Sequence, residues 1–302
     1  MKKLTLFALS ITAFIASCDV YPQDDYEEYY VVESYLVANR QLPQVRLSTT
    51  VPANEFYDFE DAAINDAIVE VRLLQTGPES SVEQSFTYSI SEPGIYQADQ
   101  NHAVLPERTY QLHISFPGSD DILTAHTIIP GSFEILDGVS ESVVYQSSQQ
   151  LEITLSESSY PGRQNIFVFN AISFDPNAED LTPLYADLLT DSDNPEEDLM
   201  LLSNNSSGII NSANFENNPD GSVTIKYPWI GIAFYGTNDI VANTLDDNVY
   251  DFVRSQQVQL GGSTLSPGEI QNVIYHVQGG IGIFGSIASD TVRTNVERNP
   301  NL

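Results

Sequence analysis

Ala67-Ile68-Val69-Glu70-Val71-Arg72-Leu73 places Ala67, Val69, Val71 and Leu73 at every second position, with Glu70 and Arg72 on the opposite face. Successive side chains of an extended strand point to opposite sides, so this stretch predicts a strand with one face in a core and the other in water. The same period recurs on either side of it. Gln44-Val45-Arg46-Leu47-Ser48 alternates strictly, and Tyr110, Leu112, Ile114 and Phe116 oppose Thr109, Gln111, His113 and Ser115. Turn-forming residues punctuate these runs at Pro52-Ala53-Asn54, Thr76-Gly77-Pro78, Glu92-Pro93-Gly94 and Pro117-Gly118-Ser119. The pattern predicts a mainly β protein in which residues 30–131 form one antiparallel β-sandwich.

Ile129-Pro130-Gly131 closes that unit, and residues 132–302 are expected to form a second β-rich unit, also an antiparallel sandwich. There Leu151, Ile153 and Leu155 alternate with Glu152, Thr154 and Ser156. Ile166-Phe167-Val168-Phe169 is apolar on both faces and predicts a central strand, with residues 223–234 and 270–278 as its expected partners. Residues 175–198 carry many acids and two prolines and are expected to be a surface excursion. One helix is predicted to pack on the second sheet. Thr244 or Asp246 caps it, Asp246 and Asp247 complement its dipole, Val249, Phe252, Val253 and Leu260 form its apolar stripe, and Gly261-Gly262 stop it.

The chain has 302 residues, with 42 Asp+Glu against 11 Lys+Arg, giving a formal charge of −31. Such a surface opposes polyanions, so nucleic acid is excluded as a partner. A single Cys excludes a disulfide-stapled scaffold. That Cys has a specific setting: Met1-Lys2-Lys3 is a short basic start, residues 4–15 are an apolar run too short to span a bilayer, and Ile15-Ala16-Ser17-Cys18 follows. The arrangement resembles a bacterial lipobox, which implies removal of residues 1–17 as a signal peptide and lipidation of Cys18. Without Lys2 and Lys3 the charge becomes 9 − 42 = −33, with Lys226 as the only lysine. A carboxylate field of that size repels anionic headgroups, so acyl chains rather than the protein surface are expected to hold it at the membrane. Residues 18–29 are rich in acids and predict a solvated tether. An acidic run behind a lipidated Cys resembles the surface-export signal of Bacteroidota lipoproteins, whereas Asp directly after Cys resembles inner-membrane retention in enterobacteria. The charge run favours export to the cell surface.

Read together, these features resemble domain-of-unknown-function family 4249. They are the lipobox, Val31-Val32-Glu33-Ser34-Tyr35-Leu36, Ile64-Asn65-Asp66-Ala67-Ile68-Val69-Glu70-Val71, Pro93-Gly94-Ile95-Tyr96, Tyr110-Gln111-Leu112, Val249-Tyr250-Asp251-Phe252 and Gly279-Gly280-Ile281-Gly282-Ile283-Phe284-Gly285. The resemblance implies an outer-membrane lipoprotein of Bacteroidota, often encoded beside TonB-dependent receptors, with no established activity and no catalytic residues to carry over. Pro93-Gly94-Ile95-Tyr96 followed by Thr109-Tyr110-Gln111-Leu112 also resembles prealbumin-like modules. The expected function is therefore that of a non-enzymatic accessory of a TonB-dependent outer-membrane uptake system, with a TonB-dependent receptor as partner and no cofactor. A surface glycan-binding or adhesive module is the alternative, and a cryptic hydrolase a third.

Candidate chemistry is sparse. Gly280-Ile281-Gly282-Ile283-Phe284-Gly285 matches the dinucleotide fingerprint, but the 17 residues after Gly285 leave no room for the helix and second strand that hold a pyrophosphate. Its glycines are expected to serve close strand packing or a tight bend. His102, His113, His126 and His276 are the available imidazoles, yet no serine lies in a nucleophile elbow. Zinc lacks ligand spacing. Asp191-Ser192-Asp193-Asn194-Pro195-Glu196-Glu197-Asp198 concentrates oxygen ligands for calcium, but Pro195 interrupts the loop pattern and a solvated loop is expected. Trp229, near Tyr227 and Tyr235, is either a sugar-stacking platform or, as expected here, a core aromatic.

If Cys18 carries the anchor, Cys18→Ala abolishes incorporation of labelled fatty acid and leaves precursor or soluble protein. Equal labelling of variant and wild type would exclude the lipobox.

Overall fold

The computed structural model describes residues 26–76, 81–147, 151–190, 192–260 and 272–301. The signal segment, Ile15, Ala16, Ser17, Cys18 and most of the tether lie outside them, as do Gly77-Pro78, Asp191, Ile270 and the Gly261-Gly262 stop.

The strands are β1 (Tyr30–Val37), β2 (Val45–Thr49), β3 (Ile68–Leu74), β4 (Val82–Glu92), β5 (Ile95–Ala98), β6 (Thr109–Ser115) and β7 (Ile122–Ile128). After residue 131 come β8 (Ile135–Asp137), β9 (Ser142–Val144), β10 (Glu152–Leu155), β11 (Ile166–Ser173), β12 (Asn204–Asn211), β13 (Val223–Lys226), β14 (Gly236–Leu245), β15 (Val277–Gln278) and β16 (Ile281–Glu297). Helices α1 (Pro183–Thr190), α2 (Pro195–Leu202) and α3 (Asp247–Leu260) complete the described elements, with three short 3-10 turns. The protein is mainly β, as the alternation predicts. Val69, Val71 and Leu73 of β3 are buried, as are Tyr110, Leu112 and Ile114 of β6.

One large sheet runs β12-β11-β14-β16-β1-β2-β5-β4-β3-β6-β7-β15, with β9 joined to β16, and a small sheet runs β13-β10-β8. The large sheet is mixed rather than wholly antiparallel, because β16 lies parallel to both β1 and β9. It is also curled: β15 pairs with β7, and only Gly279 and Gly280 separate β15 from β16, so the far edge returns to the sheet's middle. The segments on either side of residue 131 therefore share a sheet, and a single hydrophobic cluster extends from Val32 through Phe86 and Phe169 to Val296.

Several expected neighbours differ. The partners of β11 are β12 and β14, not residues 223–234 and 270–278. Instead β13 pairs with β10 and β15 pairs with β7. Residues 175–198 are not a plain excursion, since α1 lies within them and α2 begins there. Tyr185 of α1 packs with Leu181, Ala233 and Phe234 in a satellite core, a tertiary gain that local polarity conceals.

The glycine-rich run behaves as close-packing geometry. Gly282 has φ +110°, and a Cβ there would lie 2.1 Å from the Val32 carbonyl oxygen of β1. At Gly285 a Cβ would meet Val249 of α3 at 2.4 Å, so this glycine admits the helix onto β16.

Gly282→Ala is expected to destabilise the protein by more than about 3 kcal/mol, combining left-handed strain with overpacking. Gly118→Ala, at φ +85° with nothing within 4 Å, should lose only about 1–2 kcal/mol. Denaturant unfolding of both variants checks this; equal losses would mean that β1 and β16 are not held at close approach.

Candidate functional site

Two places could carry chemistry: a solvent-open cleft beside the small sheet and a buried acid at the start of α3. The cleft has a volume of about 760 Å³ and is lined by Ser140, Ser142, Ser147, Glu152, Lys226 and Trp229, among others. Its walls follow from strand pairing. Glu152 and Lys226 are direct cross-strand neighbours of β10 and β13, so their side chains share a face. The opposite wall is the segment around β9, fixed to β16 by the pairing Ser142↔Asn295 and by Ser142 Oγ donating to Glu297 Oε1 at 2.5 Å. Ser140 is held from behind, where Thr294 Oγ1 donates to its carbonyl at 2.8 Å.

Trp229 sits in a 3-10 turn, Trp229–Gly231, and is half-buried. Its ring meets Tyr145 edge to face at 5.3 Å, and Tyr145 in turn meets Tyr235 at 5.5 Å. Tyr227 is fully buried, its hydroxyl donating to the Gly231 carbonyl at 3.1 Å. Tyr227 and Tyr235 are thus core aromatics, as expected, whereas Trp229 is both packed and part of the cleft wall. Lys226 is exposed and makes no ion pair among the described residues, in contrast to six arginines that do. A cleft with several hydroxyls, one aromatic wall, one cation and one carboxylate suits a polar, hydrogen-bonding solute. Sequence reasoning singled out Trp229 but missed Lys226, Glu152 and the three serines. They come together only through β10–β13 and β9–β16 pairing.

Strongly perturbed acids are the usual pointer to catalysis. Asp246 is such an acid: burial pushes its carboxyl up to about 6, against the lowering effect of hydrogen bonds from Thr127 and from the Val249 and Ser286 backbone. Its geometry argues for a structural role. Only 1% of the residue is exposed. Oδ1 accepts from the Val249 backbone N–H at 2.8 Å, so Asp246 rather than Thr244 is the N-cap of α3. Oδ2 accepts from Thr127 Oγ1 at 2.5 Å, and Thr127 Oγ1 lies 2.6 Å from Ser286 Oγ. Next to it Asn248 Nδ2 donates to the carbonyls of His126 and Phe284, at 2.6 and 2.7 Å. These residues tie β7, β16 and α3 together and leave no approach for a substrate.

The histidines are dispersed. His102 lies 2.8 Å from the Tyr110 hydroxyl and packs on Phe86. His113 is on the polar face, as predicted, but half-buried beside Arg72 and Glu70. His126 contacts Gln111, and His276 Nε2 lies 2.8 Å from Asp251 Oδ2. Among the described residues no group of three or more His, Cys, Asp or Glu is placed to hold a metal. Of the acidic run 191–198, Glu196, Glu197 and Asp198 form the first turn of α2, where carboxylates complement the helix dipole. Cys18 and the other lipobox residues, Ile15, Ala16 and Ser17, lie outside the described residues.

The sequence model of a domain of unknown function, DUF4249, matches residues 18–293. No curated protein matches the chain. Among solved structures, trypsin-activated alpha-2-macroglobulin from Escherichia coli aligns with 74% of this chain and 15% of that one, at 9% identity and a TM-score of 0.20. Salmonella alpha-2-macroglobulin reacted with methylamine aligns with 90% and 15%, at 9% identity and a TM-score of 0.23. The chain thus spans about 15% of the length of these structures, and alignments this loose bear on neither fold nor activity.

The raised carboxyl at Asp246 generates a signed prediction. An unfolded Asp titrates near 3.9, so the folded state holds this proton more tightly and the resulting stabilisation is full below about pH 4. It is lost as pH rises through about 6. Asp246→Asn keeps a cap acceptor and removes the charge, so its stability relative to wild type should rise between pH 4 and pH 7.5, by on the order of 2 kcal/mol. Urea unfolding across that range checks it; a constant difference would mean that Asp246 titrates normally.

Proposed function

The chain belongs to the DUF4249 family, and we propose that it works as a lipid-anchored cell-envelope protein, a non-enzymatic accessory of a TonB-dependent nutrient importer in the outer membrane. Its body we read as two linked β-sandwich units, the first prealbumin-like. Cys18 carries the anchor, and the body faces the cell exterior. The observation that supports this reading is the wide polar cleft, which offers surface hydrogen bonding and one aromatic wall to a hydrophilic solute. Tethering to the same membrane raises the effective concentration of a neighbouring barrel, so a modest interface suffices.

Trp229 favours a second reading, direct binding of a glycan. An indole at a cleft wall beside hydroxyls and a Lys/Glu pair matches the mixed apolar and hydrogen-bonding surface of a sugar ring.

Mild crosslinking of the tagged lipoprotein in intact cells, followed by purification from solubilised outer membrane, separates the two. Recovery of a TonB-dependent barrel, unchanged in Trp229→Ala, supports the accessory role. Absence of any barrel, together with polysaccharide binding that falls about tenfold in Trp229→Ala, replaces it with glycan binding.

A further inference from the structure

The chain enters the folded body through an aromatic surface. Tyr26 Oη donates to the Thr50 carbonyl and lies 2.9 Å from Thr50 Oγ1, while the Tyr29 backbone N–H donates to the same Oγ1 at 3.0 Å. Residues 26–29, which sequence alone assigns to the solvated tether, are therefore pinned to the end of β2. The loop that follows carries Phe56, 91% exposed, and Tyr57, whose hydroxyl lies 3.3 Å from Ser48 Oγ. Tyr26, Tyr29, Phe56 and Tyr57 are all exposed around this one end of the β1–β2 pair. A phenylalanine nearly bare to water has no local structural gain to offset its hydration cost.

The length of chain outside the described residues says what faces this surface. Tyr26 lies only 26 − 18 = 8 positions after Cys18, a maximal reach of about 28 Å. A bilayer holding acyl chains on Cys18 is thus never far from the aromatic loop. Tyrosine and phenylalanine are side chains suited to the membrane–water boundary, where a ring can enter the headgroup layer and a hydroxyl can stay wet. The neighbouring Glu27, Glu55 and Asp58 are exposed, which disfavours anionic headgroups and points to zwitterionic ones.

We propose that Tyr26, Tyr29, Phe56 and Tyr57 form a membrane-contacting foot that seats the body on the zwitterionic lipid surface beside its own anchor, with Phe56 as the inserting residue. This rests on the lipid-anchor reading of Cys18. A second apolar surface competes for the same role: Leu188, Met200 and Leu201 of α1 and α2 are also exposed, but no anchored segment leads to them.

The test uses the full mature chain with Cys18→Ser and a histidine tag in place of the signal segment, held on phosphatidylcholine vesicles by nickel-chelating lipid. This arrangement does not depend on acylation, so fatty-acid labelling of Cys18 judges the anchor separately. An environment-sensitive fluorophore is placed on Phe56→Cys or, in a second protein, on Met200→Cys. Emission that shifts to the blue on tethering at position 56 and not at 200 supports the foot. No shift at 56, a shift at 200 instead, or deeper insertion on phosphatidylglycerol vesicles overturns it. For the untethered chain, Phe56→Asp should weaken partitioning into phosphatidylcholine vesicles at least about tenfold; unchanged partitioning also overturns the proposal.

Discussion

The parallel contact between β1 and β16 is the constraint on which the rest of the architecture depends. Seven residues of the first strand, Val31 to Val37, pair in register with Ile281 to Ile287 near the end of the chain. Parallel neighbours cannot be joined by a short turn, and here nearly the whole chain is the connection. At Gly282 the approach leaves no space for a side chain, so the register is specified by sterics as well as by hydrogen bonds. Once β16 is seated, β14 pairs along its other side, and β9 pairs alongside its far end. Gly285 then receives α3, and Asp246, Thr127 and Ser286 meet in the space between.

This dependence explains what could and could not be read from residues. Strands β3 and β6 were legible because alternation is local and each has one wet face. Helix α3 was legible because its cap, acidic first turn and apolar stripe lie within a short window, although choosing Asp246 over Thr244 required the structure: Thr244 lies in β14, while Asp246 faces the Val249 amide. The partners of β11 were not legible. Pairing is a long-range choice, and several apolar runs offered equivalent faces. Helix α2 was hidden by its own stabilising feature, since Glu196, Glu197 and Asp198 serve the helix dipole but resemble a solvated loop in composition. Trp229 alone marked the cleft in sequence. The serines and Lys226 around it are ordinary surface residues until pairing gathers them.

Charge distribution separates roles within a strongly acidic chain. Six of the eight arginines are paired with carboxylates. Exposed pairs of this kind contribute about 0–1 kcal/mol each, so their number says little about stability. Their geometry matters more at Arg163, which meets Asp247 at 2.6 Å, donates to the Leu245 carbonyl at 2.8 Å and stacks over Tyr160 at 4.0 Å. Together these contacts brace the entry to α3 from outside while Asp246 braces it from within. Pairing of most arginines also leaves Lys226 as the cation of the cleft, where an anionic or hydroxyl-rich solute would find little competition from other positive sites.

If Cys18 carries the proposed anchor, magnitudes decide how it and the aromatic loop would divide the work at a membrane. Burying one phenylalanine is worth about 1.5–3 kcal/mol, which for a free protein is a weak partition and cannot by itself hold an acidic body against repulsion from anionic lipid. Two acyl signals hold a protein stably, yet a leash of eight peptide steps from Cys18 to Tyr26 would by itself leave the body free to roll. Under tethering the association entropy is already spent, and the same 1.5–3 kcal/mol then acts on orientation alone, favouring the seated arrangement by roughly 10- to 150-fold. On the proposed reading, a contact too weak to recruit the protein would thus be strong enough to set which face it turns outward, and hence whether the cleft beside Trp229 is presented consistently to a partner or to solute.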